Sequence, residues 1–327
     1  MSADATTHAA AQVNPPRPHM SVRTRLLIVG ATLLRYVPTG LSQRVAYALG
    51  GVLYRVQPTR RRLVRANLER VVTWLVAHDM ATPHVAAAAR DGRALDRLTR
   101  AAFGHYLRGY LESAILPVYG SPGKLKRVQA DDWAVADQAF KGGKAGRTIM
   151  VSLHFGAIEI PALWATKTLG GRITAPMETI GDPALQAYFE RARGGTGMKV
   201  IPVDGAAVQL RAALERDEMV ALVADRPVGG VGSAVELFGA PARLPAGPAL
   251  LSDETGAAAW LIVTRRDGWS DYRSRIERIV PGAPGGATRR DRLSAFLEAE
   301  ARAFERAIAD APEQWWTVFF QIWPDIR

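Results

Sequence analysis

The segment Met150–Trp164, MVSLHFGAIEIPALW, is the part of the chain from which the fold is best inferred. Its first residues form a short apolar run typical of a buried strand, and IPALW at 160–164 is an apolar stretch typical of a helix. His154 lies between the two, at the position where the strand would turn into the helix. The segment therefore predicts a strand–turn–helix unit with a histidine in the turn.

Glu159 follows His154 by five positions, and this spacing limits how the two side chains can meet. Five residues advance a continuous α-helix by about 140° beyond one full turn, so the two would not face each other on one helix. They can meet if His154 lies in the turn and Glu159 in the first turns of the helix. Such a carboxylate holds the imidazole in one tautomer and stabilises its protonated form, and the pair can deprotonate an alcohol.

The C-terminal two thirds of the chain alternate between strand and helix patterns. Strands are predicted at 148–153, 172–175, 199–203, 219–223 and 258–263, with an edge strand at 272–280, and helices at 158–168, 183–193, 206–216, 247–255 and 289–309. This alternation indicates an α/β fold, a mixed sheet flanked by helices. Active sites in open α/β sheets lie at the carboxyl ends of strands, where both His154 and Asp225 are predicted.

The region before that body has a helical pattern. Helices are predicted at 21–37, 41–56, 60–77, 84–91 and 95–115. We expect a disordered tail at 1–20, a helical membrane-associating lead-in at 21–118, and the α/β body at 119–327. The lead-in is expected to pack on the body, so that 21–327 form one compact unit.

Positive charge is concentrated at the N-terminal side of the chain. Residues 1–70 hold 11 arginines and no lysine against Asp4 and Glu69, a net charge of +9 out of +11 for the whole protein. The arginines are interleaved with the apolar runs LLIVGATLL at 26–34 and VAYALGGVLY at 45–54. Three interpretations are open: a nucleic-acid-binding arm, core helices with solvated arginines, and an interfacial membrane anchor.

The apolar character of the runs favours the membrane anchor over a nucleic-acid arm, which is usually polar. Neither run reaches the ~20 apolar residues needed to span a bilayer. The first 20 residues are polar and nearly uncharged, unlike a secretory signal. We expect a peripheral or monotopic protein on the cytoplasmic face of the cell membrane, with an anionic membrane surface as partner and no nucleic acid.

Cysteine and histidine usage argue against a metal centre or disulfides. The chain of 327 residues contains no cysteine, which excludes disulfides and thiolate metal ligands. Its six histidines are scattered at positions 8, 19, 78, 84, 105 and 154, without a metal-ligand spacing. We therefore expect neither a metal nor another cofactor.

Several segments together resemble the lysophospholipid acyltransferase superfamily, in its bacterial branch of late lipid A acyltransferases and phosphatidylinositol mannoside acyltransferases. The clearest is SLHFGAIE at 152–159, which resembles the H-x4-E/D signature of that branch. The other matching segments are RANL at 65–68, YLRGYLE at 106–112, RGGTG at 193–197, LVADRP at 222–227, ELFGAPARLPAGPALL at 236–251, ETGA at 254–257 and PEQWWTVFFQIWP at 312–324. The sequence departs from the branch at Ala157-Ile158, where Asn-Trp is usual.

The resemblance implies transfer of a fatty acyl group from acyl-CoA or acyl-carrier protein, as co-substrate, to a hydroxyl of a glycolipid acceptor. That acceptor would be a phosphatidylinositol mannoside or a lipid A precursor, with a slight preference for the first. His154 would take the hydroxyl proton, with Glu159 orienting it. An unperturbed histidine, which titrates near ~6.5, suits that task.

The resemblance also implies roles for other residues near the site. Arg193 matches the arginine that would stabilise the oxyanion, with Arg191 as its close competitor, and Asp225 is a further catalytic candidate. The candidate substrate-binding residues are Glu178, Arg191, Arg226 and Phe155. Trp315, Trp316 and Trp323 are expected to be core or membrane-interface aromatics rather than an acyl-chain pocket.

Two rival functions remain at this point. The first is a catalytically silent, membrane-bound interaction protein on the same scaffold. The second is a nucleic-acid-binding protein, which leaves the histidine–carboxylate pair and the apolar character of the basic region unexplained.

Overall fold

In the computed structural model, residues 21–145, 147–227, 232–282 and 286–326 are described. The tail expected at 1–20 lies outside these residues. The helices of the N-terminal region are α1 (Val22–Leu34), α2 (Thr39–Val56), α3 (Pro58–Ala77), α4 (Pro83–Arg90) and α5 (Gly92–Ala114).

The local sequence explains where two of these helices begin. Pro58 opens α3, where its missing N–H is no loss, and the Asp91 carboxylate accepts from the first free backbone N–H groups of α5.

The remaining helices and the strands make up the α/β body. Its helices are α6 (Pro122–Leu125), α7 (Trp133–Ala145), α8 (Ile160–Leu169), α9 (Pro183–Gly194), α10 (Ala206–Glu215), α11 (Gly247–Thr255) and α12 (Arg289–Ala309). Its strands are β1 (Val128–Ala130), β2 (Thr148–Ser152), β3 (Ile173–Met177), β4 (Met198–Pro202), β5 (Met219–Val223), β6 (Ser233–Leu237), β7 (Ala240–Leu244), β8 (Ala258–Arg266) and β9 (Tyr272–Arg278).

Seven strands form one mixed sheet in the order β1-β9-β8-β2-β5-β3-β4. The β8–β9 pair is antiparallel and the other neighbours are parallel. This architecture confirms the predicted α/β class with a mixed sheet flanked by helices and a helical N-terminal region.

The structure corrects the prediction that 272–280 is an edge strand. The three-residue strand β1 pairs with the outer side of β9, so β1 and β4 are the edges of this sheet. A strand of three residues is too short to show a period in the sequence. The separate hairpin β6–β7 was not predicted either. The two residues of its turn, Phe238 and Gly239, both have positive φ, as a type I′ turn requires.

The central strands are buried on both faces. Ile149 and Val151 of β2 point into a large core shared with α3, α5, α10, α11 and α12. Met150, on the opposite face, points into a smaller core with Leu163 of α8 and Phe140 of α7. Helix α3 is also bonded to the C-terminal segment, because Asn67 Nδ2 donates to the carbonyls of Val318 (2.8 Å) and Phe320 (2.9 Å). The carboxyl end of β2 is thereby surrounded by elements from both halves of the chain.

Candidate active site

The turn after β2 carries His154, as predicted, and its backbone is held from several sides. The Trp316 N–H donates to the His154 carbonyl (2.7 Å), and the Gly156 N–H donates to the Gln314 carbonyl (2.9 Å). Gly156 has a φ of +53°, and a Cβ there would lie 2.1 Å from the Thr264 carbonyl oxygen. Only glycine fits this position, and the turn therefore has one tightly defined path.

Asp225 is the carboxylate that contacts the imidazole. His154 Nδ1 and Asp225 Oδ1 lie 2.8 Å apart, and the His154 N–H donates to Asp225 Oδ2 (3.1 Å). The strands explain this meeting, because β2 and β5 are parallel neighbours in which Ser152 pairs with Val223. His154 and Asp225 each lie two residues beyond that pair, so the register brings them together at one edge of the sheet.

The Asp225 side chain is completely enclosed, whereas that of His154 is 27% exposed. Besides the two His154 donors, Asp225 Oδ2 accepts from Trp315 Nε1 (2.8 Å) and Thr317 Oγ1 (2.6 Å). Burial alone raises the pKa of this carboxyl. The electrostatic attraction of His154 and the hydrogen bonds from His154, Thr317 and Trp315 outweigh burial and lower the pKa below its ordinary value. A charged Asp225 keeps the imidazole proton on Nδ1 and leaves Nε2 to accept a proton.

Glu159 is bound to Arg193 instead. Arg193 donates to Glu159 Oε1 from Nε (2.9 Å) and Nη2 (2.6 Å), and Ser113 Oγ lies 3.4 Å from the same oxygen. Burial lowers the pKa of the Arg193 guanidinium, but the Glu159 carboxylate outweighs it and raises that pKa. The carboxylate hydrogen-bonded to the imidazole is therefore Asp225, which differs from the expectation drawn from the five-residue spacing. Glu159 lies at the start of α8, which directs it to the end of α9, where Arg193 lies.

The other predicted residues are distributed around this centre. Arg226 forms an ion pair with Glu178 (2.6 Å), and its guanidinium lies 4.8 Å from the centre of the Phe320 ring. Arg191 is exposed on α9, so only Arg193 of the two competing arginines contacts Glu159. Phe155 was expected to bind substrate, but its side chain is 1% exposed and belongs to the large core. Phe155 forms a backbone bridge with Trp315, and its buried side chain is not accessible to a substrate.

The C-terminal segment contributes site residues that the sequence did not identify as such. Trp315, Trp316 and Trp323 are buried, as expected of core aromatics. Trp315 nevertheless has a polar role, because its indole N–H donates to Asp225, and Thr317 was overlooked altogether. The available signal was the pattern W-W-T at 315–317, polar groups within an otherwise apolar run. Among the described residues, no group of three or more histidine, aspartate or glutamate side chains is arranged to hold a metal ion.

This arrangement suits proton abstraction from a hydroxyl. A partly exposed imidazole is oriented by an enclosed carboxylate. Five residues after the histidine, Glu159 binds the guanidinium of Arg193 on α9. A base of this kind acts efficiently when its pKa lies near the working pH. A positively charged group nearby can stabilise an oxyanion that forms in the same reaction.

Two proteins with a stated activity are similar in sequence to this chain. A phosphatidylinositol mannoside acyltransferase of Mycolicibacterium smegmatis is 28% identical to the chain over 297 residues, which are 88% of this chain and 86% of the relative. A phosphatidylinositol mannoside acyltransferase of Mycobacterium tuberculosis is 30% identical over 166 residues, 50% of each protein.

The family model described as bacterial lipid A biosynthesis acyltransferase matches residues 99–323. The matched region includes the His154 turn, Asp225, the Glu159–Arg193 pair and the C-terminal tryptophans. It also covers more than half of the chain. This protein therefore belongs to the bacterial lipid A biosynthesis acyltransferase family, which confirms the resemblance seen in its sequence and makes it a member of an acyltransferase family.

Proposed function

We propose that the protein transfers a fatty acyl group from acyl-CoA or acyl-carrier protein to a hydroxyl of a glycolipid, with His154 as general base and Asp225 as its orienting carboxylate. The observation that carries this proposal is the 2.8 Å contact between His154 Nδ1 and Asp225 Oδ1. Asp225 replaces Glu159 in the role that the sequence had suggested. Glu159, at the start of α8, and Arg193 of α9 form a second charged pair.

In the proposed reaction, His154 Nε2 removes the proton of the acceptor hydroxyl as its oxygen attacks the thioester carbonyl. The tetrahedral intermediate carries a negative charge on the former carbonyl oxygen, and Arg193 is the candidate to stabilise it. When the intermediate collapses, the C–S bond breaks and the thiolate leaves. The imidazolium returns its proton to the sulfur, so the histidine ends in its starting state.

The acceptor is proposed to be a phosphatidylinositol mannoside, with a lipid A precursor as the alternative. The relatives named above support the first choice, because they are described as phosphatidylinositol mannoside acyltransferases. Glu178 and Arg226 lie beyond the strand ends as an exposed ion pair that can bind hydroxyls or a phosphate of the acceptor.

A purified-enzyme assay tests this function. Palmitoyl-CoA is supplied with a mannosylated phosphatidylinositol or with a lipid A precursor, and mass spectrometry detects acceptor that has gained one acyl chain. We expect product from the mannosylated acceptor, and a loss of roughly 10² to 10⁴ in rate for His154→Ala. A folded His154→Ala protein with wild-type turnover would remove His154 from the mechanism. Binding of both lipids without product would favour a catalytically silent protein.

The membrane is the proposed location of the acceptor, and α1 and α2 are the proposed attachment. No helix within the described residues is both long and apolar enough to cross a bilayer. Both helices instead expose apolar stripes at spacings of three and four, with each member between 49% and 75% exposed. The stripe residues are Val22, Leu26, Val29 and Leu33 on α1, and Leu41, Val45, Leu49, Val52 and Val56 on α2.

Vesicle sedimentation tests this attachment. Binding to anionic vesicles should weaken in high salt without vanishing, because the charge contribution is screened and the apolar contribution is not. Changing Val45 and Leu49 to Asp should reduce binding at every salt concentration, whereas changing Arg60 and Arg62 to Gln should reduce it only at low salt. Val208→Asp is the matched control, since Val208 is 73% exposed on α10 of the body. Equal binding to neutral and anionic vesicles would contradict the electrostatic part of the proposal.

A further inference from the structure

A buried ion pair lies beneath the His154 turn and takes no part in the chemistry proposed above. Glu112 of α5 and Arg266 at the end of β8 have side chains only 4% and 0% exposed. Arg266 Nε lies 3.0 and 3.1 Å from the two Glu112 oxygens, and Nη2 lies 2.5 Å from Oε2. Glu112 is the last residue of YLRGYLE, a segment for which the sequence suggested no role.

Arg266 reaches from this pair to the backbone of the turn. Its Nη2 donates to the Gly156 carbonyl (2.8 Å), two residues beyond His154. The Arg266 N–H donates to Gln314 Oε1 (2.9 Å) and Gln314 Nε2 donates to the Arg266 carbonyl (3.0 Å). The Gln314 carbonyl in turn accepts from the Gly156 N–H. The Gly156 carbonyl is therefore fixed by Arg266, and the Gly156 N–H is fixed by Gln314, which is itself bonded to the backbone of Arg266.

Glu112 is held from the other side by two neutral donors. The Tyr272 hydroxyl on β9 and Gln43 Nε2 on α2 each lie 3.0 Å from Glu112 Oε1. Gln43 is completely buried and also accepts from Arg108 Nε (2.6 Å). The contacts thus run without interruption from α2, which carries one of the apolar stripes, through Glu112 and Arg266 to Gly156.

Stability alone does not account for such a pair. Removing two charges from water is costly, and replacing a buried pair by uncharged groups of similar volume is often neutral or stabilising. What an apolar pair cannot do is donate a hydrogen bond to the Gly156 carbonyl. The specific consequence of Arg266 is therefore geometric, since it fixes one peptide group in the turn that carries the base.

We propose that Glu112 and Arg266 are positioning residues for catalysis: the pair holds Gly156, and with it the His154 turn, in the conformation that presents the imidazole to substrate. This inference rests on the proposed function of His154. It assigns the segment YLRGYLE a role at the active site, and it connects that site to α2 through Gln43.

The double variant Glu112→Gln with Arg266→Met tests the proposal. It removes both charges, retains an amide oxygen to accept from Tyr272 and Gln43, and loses the contact with the Gly156 carbonyl. We expect a melting temperature close to that of the wild type and a kcat reduced about tenfold to hundredfold, the range for losing one charge-assisted hydrogen bond. The KM for acyl-CoA should change less than kcat.

Arg275→Lys is the matched control, because Arg275 on the adjacent strand makes a similar two-pronged contact with Asp310 (2.9 and 3.1 Å) that does not reach the turn. It should leave kcat unchanged.

If the double variant does not fold, Tyr272→Phe provides a milder test, since it removes one donor to Glu112 and should lower kcat about threefold. Wild-type kcat in a folded double variant, or in Tyr272→Phe when that variant is the one tested, would overturn the proposal.

An NMR readout separates this inference from the proposed function. The imidazole signals of His154, assigned by their loss in His154→Ala, report its tautomer and titration without any substrate. They should shift and broaden in the double variant and remain unchanged in Arg275→Lys. Unchanged His154 signals in the double variant would refute the positioning role, even if the wild type transferred no acyl group at all.

Discussion

Two carboxylates lie near the His154 turn, and their surroundings differ sharply. Asp225 is enclosed and accepts four hydrogen bonds, of which none comes from a permanently charged group. Glu159 is 10% exposed and forms an ion pair with a guanidinium. Asp225 therefore keeps a charge that acts on the imidazole, whereas the charge of Glu159 is largely neutralised by Arg193. The difference indicates that the carboxylate able to orient a histidine is identified by its hydrogen-bond donors and not by its distance along the chain.

Asp225→Asn is the change expected to have the largest effect. Three of the four donors converge on Oδ2, so the Asn oxygen should take that place and its NH2 group should face His154 Nδ1. The imidazole would then carry its proton on Nε2, which is the wrong tautomer for a base. We expect a loss in kcat of roughly 10² to 10⁴, measured by acyl transfer with purified protein.

Thr317→Val is the control for that experiment, because it removes one donor to Oδ2 and leaves the carboxylate in place. Its loss in kcat should stay below about tenfold. If Glu159→Gln abolished acyl transfer while Asp225→Asn retained it, the two carboxylates would have to exchange roles.

Arg193→Lys tests the other side of the comparison and should have an intermediate effect. Lysine keeps the charge but cannot present two N–H groups to Glu159 in a fixed plane. We expect kcat to fall roughly tenfold to hundredfold, the range for a charge-assisted hydrogen bond. The circular dichroism spectrum of the variant should match that of the wild type, which would show that the fold is retained. Arg191→Lys, two positions earlier and exposed, should behave as the wild type. The reverse order would transfer the role to Arg191.

Glu300 of α12 extends the comparison to a third carboxyl, and its replacement should affect activity least. Its side chain is fully buried and both its oxygens lack a hydrogen-bond partner. Burial raises its pKa well above the ordinary value, and the negative charge of Asp225 raises it further. Above the ordinary pKa the unfolded chain releases this proton while the folded protein retains it, so the free energy of unfolding decreases as pH rises. The slope is at most about 1.4 kcal/mol per pH unit.

Glu300→Gln removes the titrating carboxyl group and, with it, this contribution to the pH dependence of stability. Its free energy of unfolding should equal or fall slightly below the wild-type value near pH 4 and exceed it at pH 8, with kcat nearly unchanged. Urea denaturation at the two pH values measures the difference. A wild type and variant with parallel pH profiles would indicate that Glu300 is ionised in the folded protein.

The sequence predicts the fold where the patterns are long or well punctuated. The predicted helices 247–255 and 289–309 agree with α11 and α12 at both ends, because Gly247-Pro248 opens the first and Thr288 with Asp291 forms a capping box for the second. Strand β1 and the hairpin turn at Phe238 were missed. β1 has only three residues, and a positive φ at a phenylalanine has no signature in sequence.

The site was predictable only in part, for a similar reason. His154 was found because a strand and a helix bracket it within one segment. Its contact with Asp225 depends on the pairing of β2 with β5. No local sequence pattern predicts which strands of a parallel sheet become neighbours. The Glu112–Arg266 pair spans 154 positions and lies beyond any argument from spacing.

The edges of the seven-stranded sheet have a consequence for the behaviour of the protein at high concentration. An open edge offers unpaired backbone groups to the strands of other molecules. One edge here is β1, with three residues, and the other is β4, which carries the exposed Lys199 and ends at Pro202, a residue without an N–H. Short length, a charge and a proline all oppose strand addition. Molecules crowded together on a surface can thus remain separate, because neither edge is a good template for aggregation.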